Sequence, residues 1–419
     1  MPGTLIRNVR PWGGAPVSLL ALDGLLTGAV SVDAAVPADR EIDGHGMIAL
    51  PSFTDAHAHL DSTRLGLPFR PHTAAPGLLG LIGNDRENWR SAERSAVERA
   101  SYTLGATIAS GATTIRSHAQ VDSDSGLERL EAVLGARQEH ADRATVQVVA
   151  FPQAGIVRDR GTAALLDAAL TAGADLIGGL DPCGIDRDPA EHLDIIFGLA
   201  ERHGVGLDIH LHEAGLLGAF SLEMIFERVR ALGMQGQVTI SHAFALATNS
   251  DDVVAALIDS IAELRIALTT IAPSGTRVLP HEKLQAAGVR VGLGQDGIRD
   301  YWSPFGDGDM LGRTWQLAFV RGLRRDDLIE GCVEIATLGG RSVVDRELPA
   351  DSDAARGLGP GDPADLVLVA GETVTAAVMD RSASRLVIHQ GRLVARDLTL
   401  IDRDDDGLHQ EPSTGRSEA

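Results

Sequence analysis

From about residue 53 to residue 296, short apolar, β-branched runs alternate with Ala/Leu/Arg-rich stretches whose apolar residues recur at i, i+3 and i+4. The runs end near "FTDAHAHL" (53–60), "ATTIRSHA" (112–119), "TVQVVAFPQ" (145–153), "DLIGGLD" (175–181), "GLDIHLHE" (206–213), "QVTISHA" (237–243), "RIALTTIA" (265–272) and "VRVGLGQD" (289–296). Strands alternating with helical stretches predict repeated βα units and a parallel sheet. Eight of them are the number that closes a (β/α)₈ TIM barrel, whose active site lies where the strands end. The connectors "RENWRSAERSAVERASYTLGA" (86–106) and "SLEMIFERVRALGM" (221–234) read as outer helices with solvated charged faces.

The two ends are patterned differently. Residues 1–50 and 357–400 are short strands punctuated by Gly, Pro and Asp, which predicts one small β-sandwich assembled from both terminal segments, with the barrel at 51–356. Residues 401–419, "IDRDDDGLHQEPSTGRSEA", are acidic and poor in apolar side chains, so disorder is expected there.

Composition narrows the partners. The net charge of −21 opposes binding to nucleic acid or anionic membranes. No apolar run approaches the roughly 20 residues that span a bilayer, and the N-terminus lacks a signal-peptide pattern. Cys183 and Cys332 are far apart and fit no disulfide framework or zinc knuckle, so both read as packing residues. A cytoplasmic location is the expectation.

Chemistry enters with "DAHAH". In a strand, residues i and i+2 share a face, so His57 and His59 can point at one ion or can both be satisfied core histidines. Further candidates recur at the same end of successive predicted strands: His118, His210, His212, His242 and Asp296. Independent structural histidines would not collect at one end of a barrel. Imidazoles joined by a carboxylate suit one divalent ion, zinc or iron.

These residues, together with "AFPQAGI" (150–156) and "GQDGIRDYWSPFGDGDML" (294–311), resemble the amidohydrolase superfamily in its cytosine-deaminase-like branch over nearly the whole chain. The resemblance implies a barrel beside a small β-sandwich. It makes His57, His59, His212 and Asp296 metal ligands, His242 and Asp296 catalytic, and Gln153, Asp300 and Trp302 substrate-binding. Gln153 could equally end a strand, Asp300 cap a turn and Trp302 pack. His118 and His210 match no ligand position of the family, so supporting or core roles are expected for them.

Many relatives bridge two metal ions with a fourth-strand lysine, but the chain's single lysine is Lys283, on a predicted helix. One metal ion is therefore expected. Deaminases of this branch carry a proton-shuttling glutamate in an H-x-x-E arrangement. Counted from His212, that position holds Gly215. Glu213, adjacent to His212, should face away in regular strand geometry. Pairing or capping is the expected role for Glu213, although proton transfer stays open, and the proton work passes to Asp296 and His242.

The expected function is a metal-dependent hydrolase that cleaves an exocyclic C–N bond of a small nitrogen heterocycle, releasing ammonia or an alkylamine. Cytosine deamination and cyclic-amide hydrolysis are the alternatives within the superfamily. A catalytically silent relative serving in binding or assembly is the alternative outside it. The resemblance also implies a homo-oligomer.

Overall fold

Eight parallel strands close on themselves in the computed structural model, which describes residues 3–347 and 355–402. In chain order they are β1 (Phe53–His59), β2 (Ala112–Gln120), β3 (Thr145–Phe151), β4 (Leu176–Leu180), β5 (Gly206–His210), β6 (Val238–Ser241) and β7 (Ala267–Thr270). The eighth segment, β8, comprises Val291–Leu293 and Asp296–Gly297. Its first part pairs with β7, and its second sets Asp296 opposite Ala58 of β1, which completes the ring. At the crossing between the two parts a Cβ on Gly294 would lie 2.6 Å from that of His57, so only glycine permits this approach.

Every residue of β4, β5, β6 and β7 is buried, because helices cover the outside of the barrel while side chains fill its interior. The fold is therefore the expected (β/α)₈ barrel, accompanied by a second sheet from both terminal segments. That sheet runs from Thr399–Leu400 through Arg392–Arg396, Arg385–His389, Leu366–Val369, Ile48–Pro51, Gly3–Pro11 and Val17–Leu22 to Leu25–Val30. The strand Arg40–Asp43 also pairs with Gly3–Pro11. Ile48–Pro51 joins the N-terminal strands to the C-terminal ones and leads, one residue later, into β1.

Two local departures from the sequence pattern matter. The connector expected as one helix over 86–106 is divided between Leu78–Asn88, a turn at Trp89–Ser91, and Ala96–Ala109. Ser95 forms a capping box with Glu98: its hydroxyl accepts from the Glu98 N–H, and its own N–H donates to the Glu98 carboxylate. A box of this kind starts a helix, so the chain cannot run through it as one. Secondly, the strand anticipated over 206–213 stops at His210, and residues 211–214 leave the sheet. The i, i+2 rule for shared faces therefore does not extend to His212.

Of the acidic C-terminal stretch only Ile401 and Asp402 are described, and the disorder anticipated for it lies outside the described residues. Among the described residues no helix is long and apolar enough to cross a membrane.

Candidate metal centre

The C-terminal ends of the strands converge on a group of buried imidazoles. Among the described residues two sets of donors lie within 4.8 Å of one another: His57, His59, His118 and His210, and His57, His242 and Asp296. Asp296 Oδ1 lies 3.7 Å from His57 Nε2 and 3.4 Å from His59 Nε2. His59 Nε2 is in turn 3.2 Å from His210 Nε2. Donors bound to one zinc at 2.0–2.1 Å in tetrahedral geometry stand about 3.3 Å apart. The contacts His57–Asp296, Asp296–His59 and His59–His210 have about that separation.

Hydrogen bonding orients His57. Ser241 Oγ donates to Asp208 Oδ1 at 2.6 Å and accepts from Thr269 Oγ1 at 2.8 Å. His57 Nδ1, 2.9 Å from the same oxygen, is therefore the donor of that contact. The His57 Nε2 lone pair is left without a hydrogen-bond partner, buried and facing the other donors. Both ring nitrogens of His242 are likewise unpartnered.

Electrostatics keeps these lone pairs free. Burial pushes His59 down to about 4, and burial with neighbouring imidazoles lowers His57, His210 and His242 as well. Neutral imidazole is the form that ligates a metal. Burial would raise Asp296, yet His57, His242 and His59 outweigh it and hold the carboxylate ionised. Below this layer Asp208 accepts from Arg116 Nη1 at 2.8 Å and sits 3.4 Å from His118 Nε2. Burial opposes ionisation of Asp208, but His118 and Arg116 prevail and keep it well below the usual carboxylate range.

The backbone is bent where side chains must be re-aimed. Asp181, His242, Ala272 and Asp296 all have positive φ, at 35°, 71°, 52° and 65°. Asp181 and His242 directly follow β4 and β6, Ala272 lies two residues beyond β7, and Asp296 opens the second part of β8. Left-handed conformations at residues other than glycine cost on the order of 1–3 kcal/mol, and such strain gathers at functional sites.

The structure distributes the anticipated site residues unequally. His57, His59 and Asp296 come together with His242, whereas His212 does not join the donor group. His212 Nδ1 is instead 2.8 Å from Asp181 Oδ2, and its backbone N–H donates to Asp181 Oδ1. Its ring centroid is 4.2 Å from that of His242. The fifth-strand imidazole brought to the centre is His210, for which a supporting or core role was expected. The reason is the early end of β5: His210 is its last residue, in register with Leu180 and Ser241.

This shift of register also changes the glutamate count. From His210, the H-x-x-E position is Glu213 and not Gly215. Glu213 nevertheless turns away from the centre: it accepts from the Gly184 N–H at 2.7 Å and from Ser221 Oγ, and burial raises its pKa. Gly215 is the first residue of the helix Gly215–Leu232, its N–H donating to Thr248 Oγ1.

A cavity of about 600 Å³ opens over the cluster. His59, His210, His212 and Asp296 form its floor, and Gln153, Asp300 and Trp302 all line it. Asp300 Oδ1 accepts from the Trp302 and Ser303 N–H groups, both at 2.8 Å, and burial pushes its carboxyl up to about 7. Asp181, Ser241 and Asp208 were not singled out from the sequence. For Asp181 a usable signal existed, a carboxylate at the end of a predicted strand, the same position that drew attention to the histidines.

The comparisons agree with this architecture. The sequence profile of the amidohydrolase family matches residues 40–395. The N-isopropylammelide isopropyl amidohydrolase of Pseudomonas sp. (strain ADP) is 30% identical over 377 residues, 86% of this chain and 89% of that protein. The crystal structure of N-isopropylammelide isopropylaminohydrolase from Burkholderia multivorans superposes with a TM-score of 0.89 at 40% identity, covering 96% of this chain and all of that one. The 5-methylcytosine deaminase of Klebsiella pneumoniae, liganded with 5-fluorocytosine, gives a TM-score of 0.77 at 27% identity, covering 94% and 97% of the two chains.

Proposed function

The chain belongs to the amidohydrolase family, and from that premise we propose that it hydrolyses an exocyclic C–N bond of a small nitrogen heterocycle with the help of one divalent metal ion. The observation that carries this reading is the run of contacts His57–Asp296–His59–His210, at 3.7, 3.4 and 3.2 Å, with an unpartnered His57 nitrogen at its start. These four residues are the proposed ligands. Three imidazoles and one carboxylate suit zinc or iron. A bound ion supplies a water acidic enough to be a nucleophile at neutral pH.

In the overall reaction water's hydroxyl stays on the ring carbon and its other proton leaves with the amine, which takes the electron pair of the broken C–N bond. Asp296, ionised and at the floor of the cavity, is placed to take a proton from the nucleophile and pass it to the departing nitrogen. His242 lies beside the donor set with both nitrogens free to stabilise developing charge. His212 adds a second imidazole at the same edge. Asp181 outweighs burial and raises its pKa, which favours the protonated form whose Nε2–H can donate toward the ring. Gln153, Asp300 and Trp302 supply polar and aromatic contacts that orient the heterocycle.

The amidohydrolase and deaminase chemistry named for the relatives supports this reaction class. Residues 51–356 are read as the catalytic barrel and residues 1–50 with 357–400 as an accessory β module.

The test is a screen of aminotriazines, alkylaminotriazines and aminopyrimidines for release of ammonia or amine by zinc- or iron-loaded protein, alongside elemental analysis. About one ion per chain and amine release that disappears in His57→Ala are expected. Metal-free protein that cannot be loaded, with no function lost in His57→Ala, would replace the enzyme by a silent binding protein.

A further inference from the structure

The cavity changes character from floor to mouth. Its floor carries the imidazoles and carboxylates described above, whereas the mouth is walled by Ile271, Pro273, Phe305, Trp315, Phe319 and Val320. These come from the segment after β7 and from the loop and helix that follow β8. The helix Met310–Val320 buries Met310, Leu311, Leu317 and Ala318 in the body of the protein. Its Trp315 and Phe319, four residues apart, line the cavity, Trp315 also packing against that core. Their rings are stacked at 5.2 Å between centroids and 9° between planes. The Arg381 guanidinium, 4.8 Å from the Trp315 ring, adds a cation–π contact.

Phe319 and Phe305 are 69% and 75% exposed. Aromatic surface left in water at the rim of a binding site forgoes stabilisation of roughly 25 cal/mol per Å² that a ligand can recover. Size points the same way. A cavity of about 600 Å³ is of the volume that encloses a drug-sized molecule, well beyond a bare six-membered ring.

We propose that this wall is a subsite for an extended apolar arm on the substrate, an alkyl or aryl substituent longer than isopropyl carried on the exocyclic nitrogen. The inference rests on the hydrolase reading above. Within that reading Asp296 of β8 protonates the departing nitrogen, and the wall begins on the neighbouring segments after β7 and β8. A substituent on that nitrogen therefore has the apolar side of the mouth before it.

The test uses 6-alkyl-1,3,5-triazine-2,4-diones, in which carbon replaces the exocyclic nitrogen so that nothing is hydrolysed during the measurement. Zinc-loaded protein is titrated calorimetrically with the 6-methyl and 6-hexyl compounds. The hexyl compound is expected to bind about tenfold tighter or more, as burial of two of its additional methylenes supplies. Phe319→Ala, a change at an exposed position, should bring the two affinities to within about threefold while leaving the methyl compound unaffected.

Equal affinities in the unaltered protein, or a hexyl preference that survives in both Phe319→Ala and Trp315→Ala, would overturn the subsite while the hydrolase reading stands. An oligomer that dissociates in Phe319→Ala with the preference unchanged would assign the wall to a second copy of the chain, and also overturn it. Binding of neither compound to metal-loaded protein that releases amine in the screen above would overturn the subsite alone, whereas absence of both binding and amine release would remove the hydrolase reading with it.

Discussion

Asp181 grips His212 twice, one carboxylate oxygen accepting from its backbone N–H at 2.6 Å and the other lying 2.8 Å from ring Nδ1. The first contact fixes the chain where it leaves β5. The second fixes the tautomer and leaves Nε2 for the cavity. Because Asp181 raises the His212 pKa against the effect of burial, Asp181→Asn should lower it. If protonated His212 donates to the ring, the basic limb of the kcat/KM profile then moves toward lower pH. A profile that keeps its position while kcat falls would deny His212 that role.

Ser241 is the hinge of a second chain of contacts, from Thr269 and His57 into Asp208. It does not line the cavity, but it decides which His57 nitrogen holds a proton. Ser241→Ala removes the acceptor for Nδ1–H and frees the ring to turn or change tautomer. Loss of such a supporting hydrogen bond typically costs 10- to 100-fold in metal affinity. Competition against a chromophoric chelator should show a fall in that range. Affinity within about twofold of the unaltered protein would mean that packing alone orients His57.

The barrel was legible because parallel strands buried on both faces are written as near-continuous apolar runs, and eight of them could be counted. Interleaved termini were legible for a similar reason, since short punctuated strands occurred at both ends. What periodicity could not place was the last residue of β5. With His210 and His212 two apart, either could close the donor set while the strand's end was unknown. That end is set by pairing with Leu180 and Ser241, contacts separated widely in sequence. The bends at Asp181, His242 and Asp296 were hidden too, because none of the three is a glycine that would have advertised a positive φ. Gly294, by contrast, marks a close passage against His57 and no positive φ.

Asp296 and Glu213 are both carboxylates near the centre, yet their surroundings assign them different work. Asp296 is ionised, 3.4 Å from His59 Nε2, and lines the cavity floor. Glu213 satisfies Gly184 and Ser221. Asp296→Asn should therefore lose about 10³-fold or more in kcat, since a proposed ligand and a proton acceptor vanish together. Glu213→Gln keeps a carbonyl oxygen for one of its two donors. It should cost about tenfold or less in kcat, with some loss of thermal stability. Comparable collapse of kcat in both, at matched metal content, would return the proton shuttle to Glu213 at the H-x-x-E position counted from His210.

Asp300 gives a prediction read in stability. Its buried carboxyl ionises at about 7, against about 4 in an unfolded chain. Between those values the folded protein retains a proton that the unfolded chain has released. Its contribution to stability is therefore largest below pH 4, falls as pH rises, and levels off above about 7. Asp300→Asn cannot ionise. Its carbonyl can accept from the Trp302 and Ser303 N–H groups that now share Oδ1, and its amide can reach Ser62 Oγ, now 3.3 Å from Oδ2. Relative to the unaltered protein the variant should gain stability as pH rises from 5 to 8. From pH 5 to 8 the ceiling is roughly 3 kcal/mol, since about two of the pKa units separating the folded and unfolded values lie above pH 5 and each is worth about 1.4. Urea unfolding of chelator-treated protein at the two pH values measures the change. A difference between variant and parent that is the same at pH 5 and pH 8 would mean that Asp300 is ionised throughout the range.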